Sequence, residues 1–468
     1  MSRKYQAVVI GAGPGGYACA IRLAQLKIKT LVVEKASLGG VCLNVGCIPS
    51  KAMIHAAKTW EKMKKSDAMG MTVEGAKLDF AKTQAWKQTV VTKMTGGIAQ
   101  LLKGNGAEHL AGEAKFLSPK KISVKTATGV EEIEADYFVI ATGSIPIEIP
   151  GFKFDEKEVW SSTGALAAME VPKRLAVIGG GYIGLELGMA YAKFGSKVTV
   201  IEATPGLLPG FDPELVKTIN IAVKKRGIEV VTEAKAKGFS KGANGLTVEY
   251  DWSGKVEKLE CDQILVTVGR RPSASGLDIE KAGVKPNERG FISVDKQRRT
   301  NVPHIFAVGD IAGQPMLAHK ASAEAEVAAE TIAGHKTEYG PATIPAVIFT
   351  DPEVATAGMS EPEAKAAGFE LIIAKFPFGA SGRAVAINET EGFVRVIADK
   401  KTQRVLGVQI IGPEASDLIS EAALAIEMNA YLDDLALTVH PHPTLGEAVM
   451  EAAKLAIGAP VHVLPMKG

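Results

Sequence analysis

Short apolar runs alternate with longer amphipathic stretches from the first residues of the chain onward. Residues 7–10 are wholly apolar, an Ala- and Leu-rich stretch then runs to about residue 26, and residues 30–34 are again mostly apolar. A short apolar run ended by glycine is typical of a buried strand, whereas an apolar period near 3.6 is typical of a helix. The pattern therefore predicts a strand, a tight turn, a helix and a second strand.

The same pattern occurs a second time. Residues 174–178 lead into a glycine-rich turn at 179–184, a helical stretch and a strand at 197–202. In each copy an acidic residue, Glu34 or Glu202, lies 23 positions after the first glycine. Two copies with the same spacing predict two α/β domains of the Rossmann-like, dinucleotide-binding type.

Each copy is closed by a further apolar strand, at 137–143 in the first and at 264–269 in the second. Residues 304–310 are also apolar but lack a glycine-rich turn of their own, so we expect that strand to return to the first domain. After about residue 345 the pattern predicts an antiparallel sheet and a helix, at 393–397, 405–411 and 422–428. The predicted fold class is α/β, with two Rossmann-like domains and a C-terminal α+β domain.

Proline and glycine clusters at 145–151 and 270–276 predict the domain boundaries. The first nucleotide-binding domain would comprise residues 1–147 and, as a second part, 276–345. The second nucleotide-binding domain would comprise 148–275, and the C-terminal domain 346–468.

Composition and charge exclude several classes of protein. Hydrophobic residues make up 46% of the chain and charged residues 23%, which is ordinary for a folded protein and argues against disorder. The net charge is only +2, without a basic stripe for a polyanion, so nucleic acid is not an expected partner. No apolar run approaches the roughly 20 residues of a membrane span, and no presequence precedes residue 7, so we expect a cytoplasmic protein without a membrane partner.

The two glycine-rich turns are candidate dinucleotide sites. Such a turn lets the backbone approach a pyrophosphate, while the acid after the second strand accepts hydrogen bonds from ribose hydroxyls. The alternative is that the glycines only allow tight packing. Because a carboxylate repels a ribose 2′-phosphate, Glu202 favours NAD over NADP at the second site. The candidate binding residues are Gly11, Gly13, Gly16 and Glu34 in the first copy and Gly179, Gly181, Gly184 and Glu202 in the second.

Two of the four cysteines, Cys42 and Cys47, lie in a glycine-rich stretch after the first repeat. In a regular helix, residues five positions apart are separated by about 7.5 Å along the axis, whereas a disulfide spans at most roughly 6.8 Å between Cα atoms. A disulfide between these cysteines would therefore need a distorted turn, for which Gly46 is suited. A structural disulfide that closes so short a loop would stabilise the folded state by only about 2 kcal/mol, so reversible redox use is the better interpretation. Two structural thiols or half of a zinc site are the alternatives, although no second cysteine pair of zinc-binding spacing is present and we expect no metal. We expect Cys19 and Cys261 to be packing residues.

With these motifs the chain resembles the flavin disulfide reductases, the FAD-dependent pyridine nucleotide-disulfide oxidoreductases. The resemblance extends over nearly the whole length, and Val41, where many members have threonine, is a minor departure. The matching segments are residues 11–16 with Glu34, 38–51, 141–143, 179–186, 268–272, 307–310 and 440–447.

The resemblance implies FAD at the first site, NAD at the second and a C-terminal domain that forms a homodimer. It implies that Cys42 is the interchange thiol that meets a dithiol substrate, that Cys47 lies against the flavin, and that Asp310 holds the ribityl chain. Lys51 and Glu186 resemble a pair that meets beside the flavin, where the lysine favours the anionic reduced ring. The other cofactor-binding residues that the resemblance implies are Thr142, Gly143 and Gly269.

Dithiol oxidation needs a base. A thiol with a pKa of about 8.5 is mostly protonated at pH 7, whereas a histidine with a pKa of about 6.5 is mostly neutral and can accept the proton. By resemblance this base is His442, which lies between two prolines and reaches the disulfide of the partner subunit. Glu447 would orient its imidazole, although Thr444 and Glu447 also match a capping box in which the carboxylate only satisfies a helix-start amide. We expect His440 to be structural.

The reaction that the resemblance implies is oxidation of protein-bound dihydrolipoamide by NAD, through the cysteine pair and FAD. The expected partners are lipoylated acyltransferases or carrier proteins of 2-oxo acid dehydrogenase or glycine cleavage complexes. Glutathione reductase is an alternative that Glu202 disfavours, and mercuric reductase usually carries a further C-terminal cysteine pair, which residues 461–468 lack. A non-catalytic flavin-bearing scaffold is disfavoured by the presence of both cysteines together with His442 and Glu447.

Overall fold

Parallel strands form the centre of the first sheet in the computed structural model, which describes residues 3–465. Arg3–Ile10 pairs in parallel with Thr30–Glu34 on one side and with Gly129–Ile140 on the other. Ile305–Ala307 pairs in parallel with Gly129–Ile140, which confirms that this late strand returns to the first domain. The carboxyl ends of these four strands therefore meet at one edge, which is where ligands bind in open α/β sheets.

The central strands are apolar along most of their length because both faces of the sheet are covered. Val9 belongs to a core that includes Leu23 and Ala325, from the helices on one face. Its neighbour Val8 belongs to the core on the other face, together with Phe116. Successive residues of one strand thus stabilise two separate cores, as the period of two along a strand requires.

These elements belong to a compact unit that consists of the chain up to Val171 together with Leu265–Gly340. Its remaining strands are Glu108–Ala111, Glu113–Ser118, Lys121–Thr126, Ser144–Pro146, Val159–Trp160 and Arg270–Pro272. Its helices are Pro14–Gln25, Gly40–Asn44, Cys47–Lys64, Phe80–Asn105, Ser162–Ala167 and Ala318–Ile332, with 3-10 turns at Ser66–Met69, Ile279–Ala282 and Gly309–Ile311.

A second compact unit consists of Pro172–Ile264 and the chain from Pro341 onward. Its first part repeats the parallel pattern, because Lys197–Ile201 pairs with both Arg174–Ile178 and Glu229–Val231. The helices of this part are Tyr182–Phe194 and Pro213–Lys225. The strands that follow are Ala234–Gly242, Gly245–Trp252 and Lys255–Cys261, which form an antiparallel sheet, and then Gln263–Val266.

The C-terminal part of the second unit is an antiparallel sheet covered by helices, which confirms the predicted α/β class with a C-terminal α+β domain. Its strand order is Ala346–Ile348, Glu353–Gly358, Val405–Gly412, Phe393–Asp399 and Leu371–Pro377. Its helices are Glu361–Ala366, Gly382–Ala386, Ala415–Glu427, Leu432–Leu437 and Glu447–Ala456, with a 3-10 turn at Phe378–Ala380. Within residues 3–465, no helix combines the length and the apolarity needed to cross a bilayer.

The helix predicted at 422–428 begins earlier than expected. It starts at Ala415 and ends at Glu427. Its first turn carries the exposed residue Asp417, so the apolar pattern becomes visible only further along the helix. The sequence pattern therefore located the more apolar half of this helix and missed its first two turns, in which the buried residues Ala415 and Ile419 alternate with polar ones.

Candidate active site

The acidic residues of the two repeats make the same hydrogen bonds. Glu34 Oε2 accepts a hydrogen bond of 2.7 Å from the Ala12 amide, and Glu202 Oε2 accepts one of 2.5 Å from the Gly180 amide. The second oxygen of each carboxylate accepts a hydrogen bond from the amide two residues further on. Two backbone amides therefore hold each buried, negatively charged carboxylate next to the glycine turn, at the end of the second strand.

The glycines of the first turn differ in what surrounds them. A Cβ atom at Gly16 would lie 1.9 Å from the Gly11 carbonyl oxygen, and one at Gly11 (φ +101°) would lie 2.4 Å from the Ala141 carbonyl oxygen. In contrast, apart from Gly13 itself and its two chain neighbours, no atom of the described residues lies within 4 Å of the Cβ position of Gly13. The outer glycines therefore allow close backbone packing, and the middle one leaves space for a ligand.

The second turn has the same features. Gly179 has a φ of +106°, and Gly184 is buried in the helix Tyr182–Phe194. The Cβ position of Gly181 is open, like that of Gly13, among residues 3–465. Gly13 and Gly181 are also the N-cap residues of their helices, and glycine has no side chain with which to cap them. The helix-start amides therefore remain for an anion such as a pyrophosphate.

A buried hydroxyl group supports ligand binding beside the first turn. Thr142 follows the strand Gly129–Ile140, and its Oγ1 atom is buried without a hydrogen-bond partner in the described part of the chain. Because such atoms are rare in native structures, a bound ligand is the simplest partner for it. Gly143, next to it, has a φ of +69°. With the open position at Gly13 and the charge of Glu34, these residues fit a dinucleotide such as FAD.

Two residues that the sequence did not single out hold Asp310 in place. Asp310 lies in the 3-10 turn Gly309–Ile311, and its carboxylate accepts a hydrogen bond from the Ser144 hydroxyl. Arg270 donates to the Ser144 hydroxyl (2.8 Å) and to the Ser144 carbonyl (2.7 Å). A signal for both was present, because each directly follows a glycine of a predicted site. Ser144 and Arg270 therefore orient the Asp310 carboxylate.

The pairing of two short strands brings these residues together. Arg270–Pro272 pairs antiparallel with Ser144–Pro146. Gly269, which has a φ of +124°, allows the turn into the first of these strands. Segments that are far apart in the sequence thus meet beside Asp310.

The cysteine pair lies at a break between two helices. Cys42 is in the short helix Gly40–Asn44, and Cys47 is the first residue of Cys47–Lys64. Gly46, between them, packs so closely that a Cβ atom there would lie 2.8 Å from a backbone carbonyl oxygen of the first helix. This is the distorted turn that the five-residue spacing requires, and it places Cys47 close enough to Cys42 to raise the pKa of the Cys42 thiol.

The two thiols differ in their surroundings. The hydrogen bond to Cys47 and burial hold the pKa of the Cys42 thiol well above its usual range, and the positive charge of Lys51 opposes this only in part. Cys47 is exposed and begins a helix, where the helix dipole favours negative charge. Cys47 and burial therefore favour the protonated form of Cys42, and the helix N-terminus favours negative charge at Cys47.

The cysteine segment is anchored to the first glycine turn. The Gly39 amide donates a hydrogen bond of 2.8 Å to the Ala12 carbonyl. A Cβ atom at Gly40 would lie 2.6 Å from the Gly13 Cα atom. This close packing fixes the cysteine pair beside the first dinucleotide site.

His442 and Glu447 contact each other directly. His442 Nδ1 lies 2.9 Å from Glu447 Oε1, and the imidazole is 77% exposed. Glu447 Oε2 accepts a hydrogen bond of 2.8 Å from the Thr444 amide. One carboxylate thus makes both contacts that the sequence suggested, the orientation of the imidazole and the satisfaction of a backbone amide. A proton held at Nδ1 by this contact leaves Nε2 as the proton acceptor.

Glu447 is held in its charged form. Burial by itself would raise the pKa of Glu447, but the Thr444 amide, His442 and His462 outweigh burial and lower that pKa below its ordinary value of 4.5. Glu447 is therefore ionised at neutral pH and stabilises an imidazolium at His442.

The neighbouring histidine has a different environment. His440 is 7% exposed, and its Nε2 atom lies 2.8 Å from Glu421 Oε1. Its Nδ1 atom lies 2.9 Å from the Thr438 carbonyl oxygen. Both ring nitrogens of His440 thus contact protein oxygens, which supports the structural role expected for it.

The other two cysteines are buried. Cys19 lies in the helix Pro14–Gln25, and Cys261 ends the strand Lys255–Cys261. Burial raises the pKa of each thiol to about 12. Both are therefore unreactive packing residues, as expected.

Glu186 lies on the helix Tyr182–Phe194 and is buried. Its Oε1 atom accepts a hydrogen bond of 2.9 Å from the Phe349 amide, and one turn further Met189 Sδ accepts one from the Asp351 amide. One face of this helix is thus bonded to the loop between the strands Ala346–Ile348 and Glu353–Gly358 of the C-terminal sheet. The pairing of Glu186 with Lys51 stays a prediction.

Two sequence families match the chain. Pyridine nucleotide-disulphide oxidoreductase matches residues 5–325, and the dimerisation domain of the same family matches residues 344–453. Together these matches include both glycine turns, the cysteine pair, Asp310 and His442 with Glu447.

Curated relatives are similar over almost the whole length. A dihydrolipoyl dehydrogenase of Geobacillus stearothermophilus is 51% identical, and one of Bacillus subtilis is 50% identical. Each comparison includes 98% of this chain and 97% of the relative. An archaeal dihydrolipoyl dehydrogenase, from Haloferax volcanii, is 46% identical with the same coverage.

Solved structures show the same fold. The HOCl-induced flavoprotein disulfide reductase RclA of Escherichia coli superposes with a TM-score of 0.87 at 28% identity, over 96% of this chain and 100% of that chain. LpdA of Mycobacterium tuberculosis superposes with a TM-score of 0.89 at 26% identity, over 96% and 99%.

Proposed function

Because the chain belongs to the pyridine nucleotide-disulphide oxidoreductase family, with dihydrolipoyl dehydrogenases among its relatives, we propose that it oxidises protein-bound dihydrolipoamide with NAD. Membership of this family makes the chain a flavoprotein enzyme that uses FAD and NAD. The observation that carries the proposed reaction is the contact between Cys42 and Cys47 at a turn anchored to the first glycine motif.

The cysteine pair exchanges two electrons with the substrate. A thiolate of dihydrolipoamide attacks the sulfur of Cys42 in the oxidised pair, the Cys42–Cys47 bond breaks, and Cys47 leaves as a thiolate. The second substrate sulfur then attacks the first substrate sulfur in the mixed disulfide, the bond from that sulfur to Cys42 breaks and Cys42 is the leaving group, so lipoamide leaves oxidised and the cysteine pair is reduced. The position of Cys47 at a helix N-terminus favours it as the leaving thiolate. Bound FAD supplies the path by which these two electrons reach NAD.

His442 takes the proton of one substrate thiol, and the proton of the other passes to Cys42 as it leaves. Its Nε2 atom accepts a proton, and the charged Glu447 stabilises the imidazolium through Nδ1.

Lys51 and Glu186 form a pair beside the cofactor in this proposal. The proposal also includes the boundaries between the two nucleotide-binding domains, which follow residues 147 and 275.

The two acids select the dinucleotides. Glu34 accepts hydrogen bonds from the ribose hydroxyls of FAD at the turn formed by Gly11, Gly13 and Gly16. Thr142, Gly143 and Asp310 complete this site. Glu202 accepts hydrogen bonds from the ribose hydroxyls of NAD at the turn formed by Gly179, Gly181 and Gly184, and the family resemblance adds Gly269 as a further cofactor-binding residue. Its fixed negative charge disfavours NADP.

The chain carries the dimerisation domain of its family at residues 344–453. We propose that it forms a homodimer in which His442 of one subunit serves the cysteine pair of the other, and that the second partner is a lipoylated acyltransferase or carrier protein. Large exposed apolar side chains in the C-terminal domain support an interface there; among them are Leu424, Met428, Leu437 and Val439.

Anaerobic titration tests the reaction. The oxidised holoprotein is titrated with dihydrolipoamide, NAD is then added, and the flavin absorbance and NADH formation are recorded. We expect about one equivalent of the dithiol to reduce the protein and NAD to reoxidise it. Weak dihydrolipoamide activity together with vigorous NADPH-dependent glutathione reduction would overturn the substrate assignment.

A further inference from the structure

A buried cluster of charged residues lies behind the turn that carries Asp310. Glu324 and Lys320, on the helix Ala318–Ile332, are only 1% and 5% exposed. Glu324 Oε1 accepts a hydrogen bond from Arg298 and lies 3.0 Å from Lys320 Nζ. The proposed redox chemistry uses none of these side chains, yet burying three charges is costly unless they are well placed.

The cluster binds both ends of that turn. Glu324 Oε2 accepts a hydrogen bond of 2.7 Å from the Gly309 amide, and Lys320 Nζ donates one of 3.0 Å to the Gly313 carbonyl. Gly309 has a φ of +79°, and a Cβ atom there would lie 3.2 Å from the Ala321 Cβ atom of the same helix. Hydrogen bonds and packing from one helix face therefore fix the backbone on both sides of Asp310.

We infer that Glu324, with Lys320 and Arg298, is a positioning residue for Asp310 and determines how tightly the protein binds FAD. Asp310 directly follows Gly309, so a shift of the Gly309 amide moves the carboxylate with it. Ser144 and Arg270 orient the Asp310 side chain, and Glu324 fixes the backbone beneath it. The inference rests on the proposed contact between Asp310 and the ribityl chain of FAD.

The substitution Glu324→Gln tests this role, because it keeps the shape of the side chain and removes its charge. Glu330→Gln is the matched control, since Glu330 lies on the same helix and pairs with Arg22 and His335. The dissociation constant of FAD is measured on the apoprotein, together with the flavin midpoint potential and the visible circular dichroism. We expect FAD to bind about 10-fold more weakly to Glu324→Gln, with a changed flavin spectrum, and within about 2-fold of wild type to Glu330→Gln.

A double-mutant cycle with Asp310→Asn distinguishes positioning from general stability. If Glu324 acts through Asp310, the effect of Glu324→Gln on FAD affinity shrinks to about 2-fold or less in the Asp310→Asn background. Additive effects, or wild-type affinity in Glu324→Gln, would overturn the inference while leaving the site intact. An unchanged FAD affinity in Asp310→Asn alone would instead contradict the proposed ribityl contact, and the inference with it.

Lys320→Met provides a second test if Glu324→Gln fails to fold. It removes the hydrogen bond to Gly313 and keeps the pair between Glu324 and Arg298. We expect folded Lys320→Met to bind FAD about 3-fold to 10-fold more weakly than wild type. Wild-type FAD affinity and flavin potential in this variant would contradict the inference.

Discussion

The two nucleotide-binding repeats share their glycine turns but differ in the segment that follows the second strand. In both, that segment folds back onto the glycine turn, and we call it the returning segment. One of its amides donates a hydrogen bond to the carbonyl of the second turn residue. The Gly39 amide donates to the Ala12 carbonyl, and the Leu208 amide donates to the Gly180 carbonyl at 3.0 Å. In the first repeat the returning segment continues into the cysteine pair. In the second it places Leu207 and Leu208, each 2% exposed, into the core.

This difference separates the proposed redox chemistry from a scaffold that both repeats share. The strand, turn and acid make the same hydrogen bonds in the two copies, which supports the proposal of a dinucleotide site in each. The returning segment of the first repeat carries the cysteine pair, and that of the second carries no cysteine. Changes in the turns should therefore affect cofactor binding, and changes in the returning segment should affect dithiol chemistry.

The largest effect is expected for Cys47→Ser. A serine hydroxyl cannot act as the leaving group or electron donor, so dihydrolipoamide oxidation should fall by at least about 10³-fold. NADH oxidation by an artificial electron acceptor needs only the two cofactor sites and should persist. The control Cys19→Ala, in the first helix, should retain dithiol activity. Steady-state assays of both reactions check this, and substantial dithiol activity in Cys47→Ser would contradict the separation.

Alanine at the open glycine of each turn should separate the cofactors. Gly13→Ala and Gly181→Ala meet no atom of the described residues within 4 Å, so both variants should fold. The added methyl group displaces the pyrophosphate from several amides, which should weaken binding by about 100-fold. We expect Gly13→Ala to lose FAD affinity and Gly181→Ala to raise the KM for NAD with FAD retained. Loss of FAD from Gly181→Ala would show that the copies are not independent.

Glu447→Gln should lower dithiol oxidation by on the order of 10- to 50-fold and leave both nucleotide sites unchanged, because the base lies in neither repeat. The pKa of Glu447 is lowered in the folded protein, so its interactions stabilise the fold above about pH 4.5 and this stabilisation is lost as the pH falls further. The Tm of wild type should therefore exceed that of Glu447→Gln at pH 7, and the two should converge on acidification. A constant Tm difference down to the lowest pH that preserves the fold would contradict this.

The smallest effect is expected for the ribose-binding acids. Glu202→Gln should raise the KM for NAD by about 10-fold and reduce the discrimination against NADP, because one charged hydrogen bond is weakened and the repulsion of a 2′-phosphate is lost. The matched variant Glu34→Gln should weaken FAD binding and leave the KM for NAD of the reconstituted enzyme unchanged. Equal KM values for NAD in wild type and Glu202→Gln would argue against this site.

The repeats were predictable because their signals are local. Strand, glycine turn, helix and acid follow one another within a few dozen residues, and the late strand Ile305–Ala307 was recognisable by its apolar character. The support of Asp310 was not predicted, because the position of Ser144 and Arg270 after predicted-site glycines does not show that they contact each other and Asp310. Ser144 is separated from Asp310 by 166 positions, and no local pattern joins them. Lys320 and Glu324 have the spacing of an ordinary solvated helix pair, and only the packing of their helix reveals that both are buried.

The Glu447 carboxylate has one oxygen on the Thr444 amide and the other on the His442 ring. Local folding and the proposed proton transfer therefore depend on one carboxylate group, with one oxygen committed to each. A substitution at this position cannot change the proposed base without also loosening the loop that presents it. An aspartate, one methylene shorter, would have to give up one of the two bonds.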